Sequence, residues 1–163
     1  MLNKWLSRGW KLVLLDIICA SIITLAEVQM ARANSMSDLA ALTEVIYFEA
    51  RGESELGQIA VGSAVINRRN CHLYPDTIEG VIHQGVQFSY YSDGKPEVYT
   101  DLVAHKTAKR IAKDLLSGKI PPIFKATHFY NPATAKKGKW ISKLKREAVI
   151  GDHVFLIERK CYE

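Results

Sequence analysis

The stretch IYFEARGE, residues 46–53, decides the fold. It closes an apolar helix pattern with an acid, an arginine and a second acid, and Gly52 stands just before the last of them. At 100° per residue, Leu39, Leu42, Val45 and Ile46 share one side of a helix, and Glu49 falls within their stripe. Glu44 and Arg51 fall on the opposite side. Glu49 thus stands where the pattern asks for another apolar residue, one turn before the helix breaks. Burial against apolar neighbours disfavours the ionised form of a carboxyl and raises its pKa. An acid still protonated near neutral pH is what general acid catalysis requires. The alternative is a structural glutamate that caps the frayed helix end or pairs with Arg51.

Working outward, SMSD (35–38) offers a hydroxyl cap with an acid three residues on, which predicts a first helix from 38 to about 51. GESELGQ (52–58) is a break with a new cap at Ser54. The second helix is predicted over 55–69, where the small residues Gly57, Ala60, Gly62 and Ala64 admit a close neighbour. Thr77 caps a short helix over 78–84, and 85–100 is an aromatic-rich loop. Thr100 is expected to cap a third long helix over 101–117, which Gly118 ends. Its Lys106, Lys109, Arg110 and Lys113 form a solvated basic face. ATHFYN (126–131) and DHVFLIE (152–158) have β-like composition and bracket a polar, basic loop containing Trp140. Their simplest use is a two-stranded antiparallel pair. The expected fold class is mainly α with a small antiparallel β element.

Length and composition fit one domain: 163 residues, 48% hydrophobic, with enough apolar side chains for a core. The net charge of +5 suits an acidic partner, whether nucleic acid, membrane surface or anionic polymer, and selects none of them. The N-terminus is more specific. Lys4, Arg8 and Lys11 precede the apolar run LVLLDIICASIITLA (12–26), and ARAN (31–34) supplies a small-x-small site. These are the three parts of a secretory signal, with cleavage before Asn34. Asp16 interrupts the apolar run, and a carboxylate is costly in lipid, so an uncleaved anchor stays open.

Residues 1–33 are therefore expected to be a signal peptide or signal anchor, and 34–163 an exported domain of the periplasm or cell envelope. Membrane contact is expected only through the N-terminal segment. Without residues 1–33 the chain keeps 18 basic and 15 acidic residues, a net +3, and loses Cys19. The remaining Cys71 and Cys161 can pair and tie down the C-terminus, or stay apart as two buried thiols. An exported chain of this kind is expected to be a monomer with no nucleic-acid partner.

Several segments together resemble the SleB/CwlJ-type cell wall hydrolases, the spore-cortex-lytic enzymes and their relatives. They are IYFEARGESELGQIAVGSAVINR (46–68), YPDTIEGVIHQ (74–84), QFSYY (87–91), ATHFYN (126–131) and IGDHVF (150–155). Order and spacing agree over roughly residues 39–155. The resemblance implies a lysozyme-like or lytic-transglycosylase-like fold, cleavage of the MurNAc–GlcNAc glycan strand of peptidoglycan, and a catalytic role for Glu49. Two departures fall on the far side of the groove. Leu156 stands where an aromatic is usual, and KKGKW (136–140) replaces a proline-containing approach to the tryptophan.

A two-carboxylate glycosidase needs a partner for Glu49, and Glu53, Glu55, Asp76 and Asp93 are the candidates. One acid suffices if the muramic acid 6-hydroxyl attacks its own anomeric carbon, as in a lytic transglycosylase. Sugar contacts are expected from Gln87, Ser89, Thr127 and Tyr130, with Phe88, Tyr90 and Trp140 stacking on ring faces unless they are ordinary core. Arg51 either binds a lactyl or peptide carboxylate or pairs in solvent with Glu44 or Glu53. Glu53 itself either faces substrate or bonds backbone donors at the helix break. His128 and His153 are groove residues, or else join Glu49 as the ligands of a zinc amidase. No HExxH or other short-spacing ligand motif supports that second reading, so no metal or cofactor is expected. A non-catalytic glycan-binding domain is the third possibility.

Overall fold

The computed structural model describes residues 2–85, 88, 90, 98–135 and 138–163, with side chains from residue 26 onward. It divides into two compact units, Met1–Met36 and Ser37–Glu163. Helix α1 runs Leu2–Ala50. The expected helix start at Ser35 is therefore not observed. Between Gly9 and Gly52 the sequence holds neither glycine nor proline, so nothing interrupts the helix there. The polar SMSD cluster does something else. The Asp38 carboxylate accepts the backbone N–H of Ile78 at 2.8 Å, and the Ser37 hydroxyl donates to Glu79. Most of the apolar run 12–26 lies outside the residues whose side chains are described. Among the described residues no helix is long and apolar enough to cross a membrane.

In the second unit, α2 (Glu55–Arg69) begins at Ser54, whose hydroxyl accepts the Gly57 N–H, and α3 (Ile78–His83) begins at Thr77, which accepts the Gly80 N–H. Helix α4 (Leu102–Leu116) is capped by Asp101, not by Thr100: the Asp101 carboxylate accepts the N–H groups of Val103 and Ala104, both at 2.9 Å. A carboxylate there also opposes the positive end of the helix dipole, which a hydroxyl does less well. The chain leaves α4 through Gly118 at φ +74°, a left-handed conformation natural to glycine.

Helices α2 and α4 pack together at Gly62, where a Cβ would meet Leu115 of α4 and Ile46 of α1. The core is built from Leu42, Val45, Ile46 and Tyr47 of α1, Ala60, Val61 and Val65 of α2, Ile111 and Leu115 of α4, and Phe155. The basic residues of α4 lie on its exposed face, and Arg110 pairs with Glu55 at 2.7 Å.

The sheet has three strands, β1 (His128–Tyr130), β2 (Lys145–Ile150) and β3 (His153–Ile157), in the order β1-β3-β2. The expected pairing of ATHFYN with DHVFLIE is present, antiparallel, with Phe129 opposite Phe155. The third strand corrects the two-stranded expectation. Much of β2 is exposed and polar, so KREAVI reads as loop until its hairpin with β3 is seen. That hairpin turns through Gly151 and Asp152, with Gly151 at φ +57°.

Candidate active site

Glu49 occupies the last turn of α1, on the same face as the buried Val45 and Ile46, and is itself partly buried. It opens into a cleft of about 680 Å³ between the end of α1, the end of α2, Phe88, Tyr90 and the β1 and β3 strands. Aromatic rings frame it: Phe48 and Tyr90, stacked with centroids 4.9 Å apart, Phe88, and Phe129 and Tyr130 of β1. Tyr130, Asn131 and Thr134 add polar groups on the sheet side.

The Glu49 carboxyl is pushed up to about 7 from its usual 4.5, because burial penalises the charged form. The nearby Arg68 cation pulls the other way and stops a larger rise. Arg68 is the charge that the sequence pattern left unmarked. It follows Val61 and Val65 along the buried face of α2, the same signal that singled out Glu49. Its Nε donates to the carbonyl of Thr127, and its guanidinium lies over the rings of Phe88 (5.5 Å) and Tyr74 (5.9 Å). Nη1 has no hydrogen-bond partner among the described residues. Burial lowers its pKa only to about 10, so Arg68 remains a cation at neutral pH. Next to it, Asn67 donates to the carbonyls of Phe124 and Ala126 at 2.8 and 2.9 Å. The Asn-Arg pair thus fastens α2 to the chain entering β1, where the cleft's far wall begins.

Glu53 lines the same cleft but is engaged elsewhere. Its carboxylate accepts the backbone N–H of Asp152 at 3.3 and 3.4 Å and stands 3.4 Å from His153 Nδ1. A Cβ at Gly151 would overlap that carboxylate, and one at Gly57 would come within 2.8 Å of Glu53 Cβ. Gly151→Ala is therefore expected to lower unfolding free energy by about 1–3 kcal/mol, from left-handed strain and displacement of Glu53 together. Urea denaturation checks this; an unchanged midpoint would contradict the packing.

The other expected contacts divide. Phe88, Tyr90, Tyr130 and His153 line the cleft with Glu49 and Glu53. Gln87, Ser89 and Asp93 lie outside the described residues. Arg51 is exposed and folds back on Tyr47, donating to its hydroxyl at 2.9 Å, away from the cleft lining. Thr127 is fully buried, and its hydroxyl accepts the Glu158 N–H. His128 and Trp140 line a second cavity of about 380 Å³, which shares only Arg68 and Phe129 with the first. Both ring nitrogens of His128 are occupied, Nδ1 by Thr127 Oγ1 at 3.0 Å and Nε2 by the Tyr74 hydroxyl at 3.4 Å. Burial drops its pKa to about 4, so it is neutral. Among the described residues no three His, Cys, Asp or Glu side chains converge as a metal site would require. Asp152, unmarked in sequence, lies on the exposed rim. Glu55 is paired with Arg110, and neither it nor Asp76 reaches the cleft.

Cys71, just beyond the end of α2, is bonded to Cys161, with Cα atoms 5.0 Å apart.

Residues 52–156 match the cell wall hydrolase family, a span that starts three residues after Glu49. The spore cortex-lytic enzyme of Halalkalibacterium halodurans is 36% identical over 121 residues, which cover 74% of this chain and 35% of that protein. The spore cortex-lytic enzyme of Bacillus subtilis is 33% identical over 121 residues, covering 74% of this chain and 38% of that protein. The chain thus spans well under half the length of these curated relatives. Among solved structures, the catalytic domain of the germination-specific lytic transglycosylase SleB from Bacillus anthracis superposes with a TM-score of 0.62 at 32% identity. The alignment covers 74% of this chain and 93% of that domain. The SleB catalytic domain of Bacillus cereus gives 0.59 at 30% identity, over 74% and 90%. The mainly helical, lytic-transglycosylase-like fold class expected from the sequence is therefore the one found. With well over half of its length inside the family match, this chain belongs to the cell wall hydrolases.

Proposed function

We propose that the chain cleaves the MurNAc–GlcNAc glycan strand of peptidoglycan as a lytic transglycosylase, with Glu49 as its single acid and base. One observation carries this: a carboxyl whose pKa burial raises to about 7, so that a large share of it keeps its proton at neutral pH, at the wall of an open cleft framed by aromatic rings. Flat rings suit sugar faces, and the polar groups of Tyr130, Asn131 and Thr134 suit hydroxyls and acetamides. Glu49 donates its proton to the glycosidic oxygen as the C1–O4 bond breaks. The resulting carboxylate is stabilised by the nearby charge of Arg68. It next takes the proton of the muramic acid C6 hydroxyl as that oxygen bonds to C1, closing a 1,6-anhydro ring and restoring neutral Glu49. No second carboxylate is required, which accords with the engagement of Glu53 by the β2–β3 turn. The neighbour described as a germination-specific lytic transglycosylase supports this reading, and the relatives named spore cortex-lytic enzyme are consistent with a wall substrate.

Mass spectrometry of digested sacculi tests it. Anhydro-ended muropeptides are expected; reducing ends would mean hydrolysis, and free stem peptides would mean the zinc amidase. Binding without products would mean a non-catalytic glycan-binding domain. The pH profile follows from the same carboxyl. Only the protonated form donates, so kcat/KM on soluble glycan is expected to hold below about pH 6 and fall tenfold per unit well above 7. A rate flat from pH 5 to 9 would contradict it.

The domain is placed by this proposal outside the cytoplasm, in the periplasm or envelope, as a monomer. Residues 1–33 serve as signal or anchor and supply its membrane contact. The charged n-region, apolar run and ARAN site support this, as does a disulfide, which persists in oxidising compartments.

A further inference from the structure

The proposed mechanism leaves one built arrangement of the cleft unused. Glu53 and His153 are both largely buried, with side chains 13% and 8% exposed, and both line the cleft that holds Glu49. Nδ1 of His153 is buried and makes no hydrogen bond of good geometry among the described residues, while Glu53 Oε1 stands 3.4 Å from it, close enough to accept its N–H after a small rotation of either side chain. The carboxylate is fixed from two further sides. The Asp152 N–H donates to it, and Gly57 and Gly151 leave it room that any larger residue would fill. The imidazole lies against Phe129, centroids 5.5 Å apart and rings nearly perpendicular.

Burial depresses the His153 pKa despite the opposing charges of Glu53 and Asp152, so the ring is neutral at pH 7. A neutral imidazole carries one N–H, and an ionised carboxylate only accepts hydrogen bonds. The proton therefore belongs on Nδ1, facing Glu53, which leaves a lone pair on Nε2.

We infer that Glu53 holds His153 in the Nδ1–H tautomer so that Nε2 accepts a hydrogen bond from a non-reacting N–H or O–H donor of the sugar bound beside Glu49. This rests on the glycan-cleaving reading of the cleft. His153 then touches substrate, and Glu53 is a positioning residue acting through it. No proton changes owner in this contact, so Glu49 remains the acid and base.

Nitrogen-15 NMR of the wild-type histidine rings at pH 7 tests the tautomer with no variant at all. The His153 Nδ1 resonance is expected in the protonated range and Nε2 in the unprotonated range. The reverse assignment overturns the inference. Glu53→Gln keeps the shape but offers an amide N–H to Nδ1, so the two resonances should exchange, and kcat/KM on soluble glycan should fall about ten- to hundredfold. In a His153→Phe background the same Glu53→Gln change should cost nothing further in kcat/KM. Losses that multiply in the double variant, or an exchanged tautomer with unchanged kcat/KM, would overturn it. Failure of the parent reading looks different: wild-type protein yields no anhydro muropeptides, whatever the NMR assignment.

Discussion

Glu49→Gln is expected to lower lytic activity by about a thousandfold and, at pH 8, to make the protein more stable. The two effects share one cause. General acid–base catalysis contributes roughly 10²–10⁴-fold, and here a single group supplies both the acid and the base steps, which places the loss in the upper part of that range. The amide cannot donate to the leaving oxygen or accept from the C6 hydroxyl. It does keep the volume and most of the contacts of the last turn of α1.

The stability sign follows from linkage. The folded-state pKa of Glu49, about 7, lies above its unfolded value of 4.5, so the folded state binds the proton more tightly. The associated stability is fully present below pH 4.5 and is lost as pH rises through 7. The loss is at most about 3 kcal/mol, and an uncharged glutamine does not suffer it. Urea melts at pH 5 and pH 8 should therefore show the variant gaining on wild type mainly at the higher pH. A variant that lyses sacculi normally while remaining folded would remove Glu49 from the mechanism.

Removing the disulfide should produce the largest stability loss. Cys71 and Cys161 are separated by 90 residues, and cross-linking a loop of that length restricts the unfolded chain by about 4–5 kcal/mol in the chain-entropy view. Net stabilities of domains are about 5–15 kcal/mol, so this is a large fraction. Cys71 also follows directly on the end of α2, where Asn67 and Arg68 fasten the helix to the strand entrance. The Cys71→Ala/Cys161→Ala double variant is expected to unfold at markedly lower urea, with a loss of about 2–5 kcal/mol, and to lose activity near 37 °C before wild type does. A loss under about 0.5 kcal/mol would show that the C-terminus needs no such tether.

The sequence made the helices legible because their caps and periodicity are local. Ser54, Thr77 and Gly118 act where the pattern placed them. Glu49 was legible for the same reason, as a charge inside an apolar stripe. What was hidden depends on contacts across the chain. Asp38 looks like the acid of a capping box for its own helix, and instead accepts the Ile78 N–H at the start of α3, 40 residues away. β2 is too polar to announce itself and exists because β3 offers it an edge. Arg68 was readable by the Glu49 logic, but a charge at a helix C-terminus has an ordinary explanation in the helix dipole. Trp140 and His128 carry the right chemistry for sugar contacts, yet the register of β1 turns His128 to a neighbouring cavity.

The central claim is that position 49 carries a proton near neutral pH because it is buried in the cleft. Carbon-13 NMR of the glutamate side-chain carboxyl, titrated from pH 3 to 9 and assigned by comparison with Glu49→Gln, measures this directly. The predicted midpoint is near pH 7. A midpoint near 4.5, that of a glutamate in open water, would contradict it.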